Sequence, residues 1–263
     1  MRVKLWVSVL SLSLGLVSTS YAAPDDFWVD VENNRSQAVL RYLAQGVDPN
    51  IKSSEAQPAI MWAIQNQAWA VYDLLVAHRQ FDPNVTNAHD ETPLMYLAIL
   101  GEDKRAAELI AKGAQVRRLG WTPLHYAASK AQLAMAELLL TQGALVNAPA
   151  PDGTTALMMA ARSGSRPMVN LLLQKGADPT VLSLRQLSAA DWAEANQQTQ
   201  IAEQLRQLAH RYDHRNPTPL DLSETANESS NTQPPTFIAP ASSSGSTESP
   251  AGGSQYFDLK RFD

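Results

Sequence analysis

The chain has 263 residues, no cysteine and a formal net charge of −5. Such an acidic balance is unlike that of nucleic-acid-binding proteins, which usually carry a basic patch or stripe. The lack of cysteine excludes disulfides, cysteine nucleophiles and cysteine-ligated metals, so packing alone must hold the fold.

The first 22 residues have the pattern of a secretory signal peptide. Arg2 and Lys4 precede the apolar stretch LWVSVLSLSLGLVS, and small residues follow it. The pattern predicts cleavage between Ala22 and Ala23. The apolar stretch is too short for a spanning helix, which needs about 20 residues, so no membrane span is expected in the mature chain. We therefore expect an exported protein, in the periplasm of a Gram-negative bacterium or secreted.

A similar stretch recurs along the next part of the chain at intervals near 33 residues. We align QPAIMWAIQNQ, ETPLMYLAILGE, WTPLHYAASKAQ, TTALMMAARSGS and LSAADWAEANQQ. Threonine followed by proline favours a helix start, because threonine can cap and proline suits the first turn. The alignment places equivalent residues at Gln57, Thr92, Thr122, Thr155 and Ser188.

Each stretch is followed by a second apolar pattern with helical spacing and then by an exit such as AQGVDPN, TQGALVN or QKGADPT. We predict two helices per unit, with Gly101 and Gly164 in the turns between them. Asn34 and Asn66 hold the same place in other units, and asparagine also tolerates positive φ.

The period, the sequence TPLHYAA and the exit GADP together resemble the ankyrin repeat. The resemblance implies an all-α ankyrin-repeat solenoid of helix–turn–helix units joined by hairpin-like loops. We place this repeat domain at 23–212. It comprises a degenerate unit at 25–54, repeats at 55–89, 90–119, 120–152 and 153–185, and a C-terminal cap at 186–212.

Residues 213–263 have a different composition, rich in proline, serine and threonine. Too few apolar residues are present to offset the entropy cost of ordering, which predicts a disordered tail. The final YFDLKRFD is more apolar. It is interpreted either as a frayed end or as a short docking motif.

The sequence shows no set of residues that predicts catalysis. No nucleophile-elbow, zinc-protease or phosphate-loop pattern is present, and we predict no catalytic, metal or cofactor-binding residue. The resemblance implies that His125 is structural and hydrogen-bonds between neighbouring units. Trp62 and Trp192 are interpreted as filling space between units.

Trp121 leaves two alternatives open. The resemblance places the residue before the threonine at a loop tip facing the concave surface, where an aromatic side chain could anchor a partner. The loop from Gly113 to Thr122 is three residues shorter than the equivalent loops, so Trp121 could instead fold inward and cover the missing hairpin. The candidate partner-binding residues are Trp121, Arg117, Arg118, Ile99, Leu100, Lys130, Glu91 and Arg162.

Repeat stacks of this kind bind macromolecules on extended concave surfaces. We therefore expect a non-enzymatic exported scaffold, monomeric, that binds an unknown protein partner through its concave face and loop tips. The opening AAPDDFW and the unit GWTPLHYAA resemble exported ankyrin-repeat proteins of Gram-negative bacteria. The alternatives are a periplasmic immunity or protective protein that neutralises one enzyme, and a secreted effector that binds a host protein.

Overall fold

The computed structural model describes residue 24 and residues 26–215, and this part of the chain contains twelve α-helices. The helices alternate between a first and a second helix of each unit. They are α1 (Asp26–Glu32), α2 (Ser36–Ala44), α3 (Ala59–Gln65), α4 (Trp69–Ala77), α5 (Pro93–Leu100), α6 (Asp103–Ala111), α7 (Pro123–Ser129), α8 (Leu133–Thr141), α9 (Ala156–Ser163), α10 (Arg166–Gln174), α11 (Ala189–Ala195) and α12 (Thr199–Arg215).

The first helices start where the threonine–proline pattern predicts. Thr92 and Thr122 have extended backbone and are followed by proline in the first turn. Gly101 and Gly164 have left-handed backbone between the two helices of their units, as predicted.

The predicted alignment of the repeat at 55–89 is wrong by one residue. α3 begins after Pro58 rather than after Gln57, because Pro58 is the extended residue that precedes the helix. The left-handed residue between α3 and α4 is consequently Gln67, with φ of 53°, and not Asn66, with φ of −89°. Met61 is therefore the residue of this repeat that corresponds to His125.

The core lies between the two layers of helices and continues from unit to unit. The first helices α3, α5, α7, α9 and α11 stack side by side, and each also packs on the second helix of its own unit. Residues around almost the whole circumference of α5 and α7 are buried, since these helices have neighbours on several sides. This stacking is the one-dimensional packing of a solenoid.

The predicted end of the repeat domain falls inside a helix. α12 continues to Arg215, three residues beyond the predicted boundary at 212, and its first turns bury Ile201, Ala202 and Leu205. The predicted signal peptide at 1–22 and nearly all of the predicted tail, residues 216–263, lie outside the described residues.

Candidate interaction surface

The residue before each helix-capping residue, which the resemblance places at a loop tip, points into the protein in four of the five loops. In all five loops, the residue that precedes this position has left-handed backbone, which turns the chain back toward the core. The side chain that follows is buried in four loops. The left-handed residues are Ala56, Asp90, Gly120, Gly153 and Gln186, and the buried side chains that follow them belong to Gln57, Glu91, Trp121 and Thr154.

Trp121 packs against the helix that it precedes. Its side chain is only 9% exposed. The indole lies edge-to-face on His125, with ring centroids 5.3 Å apart, and on Tyr126, with centroids 6.5 Å apart. Trp121 therefore folds inward, which is the second of the two alternatives that the sequence left open. Little of the indole remains exposed for a partner to contact.

Glu91, a candidate for partner binding, is buried at the centre of a polar cluster. One carboxylate oxygen accepts hydrogen bonds from Asn87 Nδ2 at 2.6 Å and from the Tyr96 hydroxyl at 3.2 Å. The other accepts one from the Tyr126 hydroxyl at 2.8 Å. Gln57 Nε2 donates to the Tyr96 oxygen at 3.1 Å. The cluster therefore joins three consecutive units, and Glu91 serves the fold in this conformation.

His125 joins its own unit to the next one. The backbone N–H of Thr122 donates to Nδ1 at 3.2 Å, so Nδ1 carries no proton and Nε2–H donates to the carbonyl of Thr154 at 3.0 Å. Complete burial lowers the pKa of His125 from 6.5 to about 4, even though the bond to the Thr154 carbonyl acts in the opposite direction. A neutral, fully engaged histidine of this kind is a structural group.

A ladder of asparagines fastens each exit loop to the next. In three loops, the asparagine Nδ2 donates to a backbone carbonyl of the following unit and its Oδ1 accepts from a backbone N–H two residues further on. The asparagines are Asn50, Asn84 and Asn147, and their carbonyl partners belong to Gln80, Gly113 and Gly176.

Arg117 stands at the ladder position of the shortened loop. It lies four residues after Gly113, as Asn147 lies four after Gly143, and its Nε donates to the Gly143 carbonyl at 2.5 Å. The guanidinium cannot accept a hydrogen bond, so Arg117 reproduces only the donating half of the asparagine contact. Although its side chain is exposed, Arg117 is held at the base of the loops, away from the loop tip where Leu119 lies.

We expect Asn147→Ala to lower the free energy of unfolding by about 1–2 kcal/mol, because two hydrogen bonds between units are lost. Arg117→Asn should change stability by less than about 1 kcal/mol, since asparagine can form the contacts that its equivalents form. Urea unfolding followed by circular dichroism measures both. An unchanged transition for Asn147→Ala would show that the ladder contributes nothing to stability.

Arg118 is half-buried and bound to the neighbouring loop. Its Nη1 donates to the carbonyl of Asp90 at 2.5 Å, and its Nη2 forms an ion pair with the Asp90 carboxylate. The shortened loop is thus held by two arginines, one on each side. Both candidate arginines therefore contact neighbouring loops, and neither is directed toward Trp121 by these contacts.

The remaining candidates lie along the row formed by the ends of the first helices. Leu100 ends α5, Lys130 follows α7 and Arg162 lies in the last turn of α9, and all three are partly exposed. Ile99 is buried and contributes to the core instead. Because the first helices stack side by side, Leu100, Lys130 and Arg162 lie on one face of the solenoid.

Two exposed leucines at the loop tips were not among the candidates. Leu119 is 93% exposed and Leu184 is 74% exposed. The exposed Pro151 lies between them: a Cβ atom at Gly120 would be 3.8 Å from Pro151 Cγ, and the Leu184 N–H donates to the Asp152 carbonyl at 2.9 Å. We call Leu119, Pro151 and Leu184 the tip row. Leucine beside a turn glycine is the sequence signal that could have identified Leu119.

Two clefts open on the face formed by the first helices, and a tryptophan of a first helix lines each. Trp62 lines a mainly polar cleft of about 380 Å³ with Gln65, Asn66 and His89 among its other residues. Trp192 lines a mainly apolar cleft of about 200 Å³ near the C-terminal end of the stack. Both tryptophans are only partly buried, so they shape the surface as well as fill the core.

Within the described residues there is no cluster of three or more histidine, aspartate or glutamate side chains that could hold a metal ion. None of the helices described for residues 26–215 is both long and apolar enough to cross a membrane.

A row of stacked helix pairs with exposed loop tips defines the class of helical repeat solenoids. More specifically, the chain belongs to the ankyrin-repeat family: the family profile "Ankyrin repeats (3 copies)" matches residues 27–118, 67–150 and 104–183. Ankyrin repeats are in general non-enzymatic modules for protein–protein interaction.

Curated relatives from several kingdoms share this part of the chain. An ankyrin repeat-containing protein of Treponema pallidum is 36% identical over 107 residues, which cover 39% of this chain and 36% of that protein. The B-cell lymphoma 3 protein homolog of mouse is 28% identical over 170 residues, or 57% of this chain and 38% of that protein. An ankyrin repeat protein of fowlpox virus is 28% identical over 134 residues, which cover 50% of this chain and 18% of that protein. The chain thus spans well under half the length of these relatives.

Proposed function

We propose that this chain is an exported, non-enzymatic scaffold that binds a protein partner through the tip row and the adjoining concave face. The observation that carries the proposal is the exposure of Leu119. The side chain contributes nothing to the core, and its burial against another molecule would be favourable because it removes apolar surface from water.

The neighbouring loops support the same surface. Leu184 and Pro151 extend the apolar character of Leu119 across three successive loop tips, and contacts between the loops hold them in place. Contiguous exposed apolar residues with polar surroundings are typical of protein interaction sites. Export is supported by the signal-like sequence before Ala23.

The test is affinity capture from periplasmic extract with wild type, Leu119→Ser and Leu184→Ser as baits. We expect each substitution to weaken retention of the partner by roughly tenfold, the effect of losing about 1.4 kcal/mol of apolar burial. The melting temperature should not change, because neither side chain is part of the core.

Leu145→Ser is the matched control, since Leu145 is exposed but lies outside the tip row. It should retain the partner as wild type does. Equal retention by all four baits would contradict a tip-row interface. Absence of the chain from the periplasmic fraction of its own cells would contradict export.

A further inference from the structure

The apolar cleft at the C-terminal end of the face formed by the first helices has the chemistry of a binding site for an aromatic ring with a neighbouring carboxylate. It lies between α9 and α11, where Leu187, Trp192 and Ala195 supply apolar surface and Arg162 supplies a positive charge. We call it the cap cleft. Its volume of about 200 Å³ suits one or two side chains rather than a folded element.

The charged side chains that line the cap cleft differ in whether they have hydrogen-bond or ion-pair partners. Asp191 accepts hydrogen bonds from the Ser188 N–H at 2.8 Å and from the Ser188 hydroxyl at 2.7 Å, and Glu194 is paired with Arg206. The Arg162 guanidinium has no hydrogen bond or ion pair with any residue in the described part of the chain. An unpaired cation at the edge of an apolar surface favours a ligand that combines an apolar group with a carboxylate.

The chain itself contains such a segment. YFDLKRFD, residues 256–263, has three aromatic residues in eight positions and twice places phenylalanine directly before aspartate. In each phenylalanine–aspartate pair the ring can enter the apolar part of the cap cleft while the adjacent carboxylate reaches Arg162. Each pair thus offers the apolar ring and the carboxylate that the cleft favours, and Lys260 and Arg261 lie between the two pairs.

The connection to this segment is long enough to reach the cleft. α12 packs against α11, and its last described turns, with Arg211 and Tyr212, line a cleft with Gly176 and Pro179 of the preceding exit loop. The roughly 40 residues from 216 to 255 could span up to about 130 Å when extended, several times the width of one repeat. Binding of the segment would be intramolecular, which raises its effective concentration without any further contact.

We propose that residues 256–263 bind in the cap cleft, with a phenylalanine ring against Trp192 and the neighbouring aspartate on Arg162. The bound segment covers the C-terminal end of the face formed by the first helices and competes there with an external partner. This inference goes beyond the proposed function, and it does not depend on the tip row.

The experiment uses the full chain and a fluorescein-labelled peptide of residues 254–263. In the variant Phe257→Ala/Phe262→Ala, the chain's own segment lacks both rings, so the cleft is available to the peptide. We expect the peptide to bind this variant and to bind wild type at least roughly tenfold more weakly, because the wild-type cleft is occupied by its own segment.

Charge reversal tests the contact with Arg162. Arg162→Glu, added to the double-alanine variant, should weaken peptide binding by roughly tenfold or more, and a peptide with both aspartates changed to arginine should restore it. Arg166→Glu is the matched control. Arg166 belongs to the same unit but is exposed outside the cleft, where it bonds Gln200 at 2.6 Å, and its reversal should leave binding unchanged.

Each outcome decides the proposal. No binding to the double-alanine variant, equal binding to that variant and to wild type, or equal losses for Arg162→Glu and Arg166→Glu would each overturn it. Circular dichroism melts establish that every variant is folded. If the peptide fails to bind while Leu119→Ser still weakens partner capture, the self-docking inference fails and the proposed function stands.

Discussion

Trp121→Thr should lower the free energy of unfolding by about 3–5 kcal/mol, the range for removing a large buried aromatic side chain. Threonine is the residue at the equivalent position of the next unit, Thr154, where it is also buried. The loop before Thr154 is three residues longer, so the smaller side chain is sufficient there. After the shortened loop, threonine would leave a cavity beside His125 and Tyr126, which the indole now covers.

Urea unfolding measures this effect, and Leu119→Thr provides the control two residues away. Leu119 is almost fully exposed, and its substitution should change stability by no more than about 0.5 kcal/mol. A small loss for Trp121→Thr, accompanied by loss of partner capture, would show that the indole leaves the core to bind. The structure supports the opposite pattern. Substitution of Trp121 should destabilise the fold, and substitution of Leu119 should weaken partner capture.

The repeat could be predicted from the sequence because its signals are local and occur several times. Threonine–proline starts a helix through its own backbone, and Gly101 requires positive φ whatever its surroundings. The one-residue error at Gln57 arose where the local signal is ambiguous. That unit has no threonine before its first helix, and Pro58 rather than Gln57 provides the extended residue before α3.

The direction of the loop side chains could not be predicted in the same way. Whether Glu91 points outward depends on the left-handed backbone of Asp90, and aspartate seldom signals positive φ by itself. A carboxylate also resembles a surface group in the sequence, because its partners Asn87, Tyr96 and Tyr126 are brought together from three units only in the fold. Tertiary contacts, rather than local propensity, decided which candidates are exposed.

Arg117 shows the same limit for a charged residue. The sequence presents two adjacent arginines at a loop, which is typical of an exposed basic site. The ladder role of Arg117 becomes visible only by comparison with Asn147, which contacts the equivalent carbonyl one unit further on. An alignment of the exit loops could have identified this role, because Arg117 and Asn147 both lie four positions after a glycine.

The stability of the protein should fall as the pH drops from 6.5 to 4 because of His125. The unfolded chain binds a proton at this histidine with the ordinary pKa of 6.5, whereas burial lowers the pKa in the folded protein to about 4. Between these values the unfolded state holds the additional proton, so acid favours unfolding. The full difference corresponds to roughly 3 kcal/mol, present above pH 6.5 and absent below pH 4.

His125→Met isolates this contribution from the carboxylates that titrate in the same range. Methionine is the equivalent residue in two neighbouring units, where the sulfur of Met95 and Met158 accepts the backbone N–H of the capping threonine at 3.3 and 3.4 Å. Near pH 7.5 the variant should be less stable than wild type by about 1–2 kcal/mol, because the Thr154 carbonyl loses its donor.

As the pH falls, wild type loses stability that His125→Met does not lose, so the two should become equally stable at roughly pH 5. Chemical denaturation at several pH values between 7.5 and 4.5 measures the difference. A constant gap across that range would mean that His125 becomes protonated in the folded protein as readily as in the unfolded chain. In that case Nδ1 would have to release the Thr122 N–H, and the hydrogen bonds on both sides of the ring could not persist together.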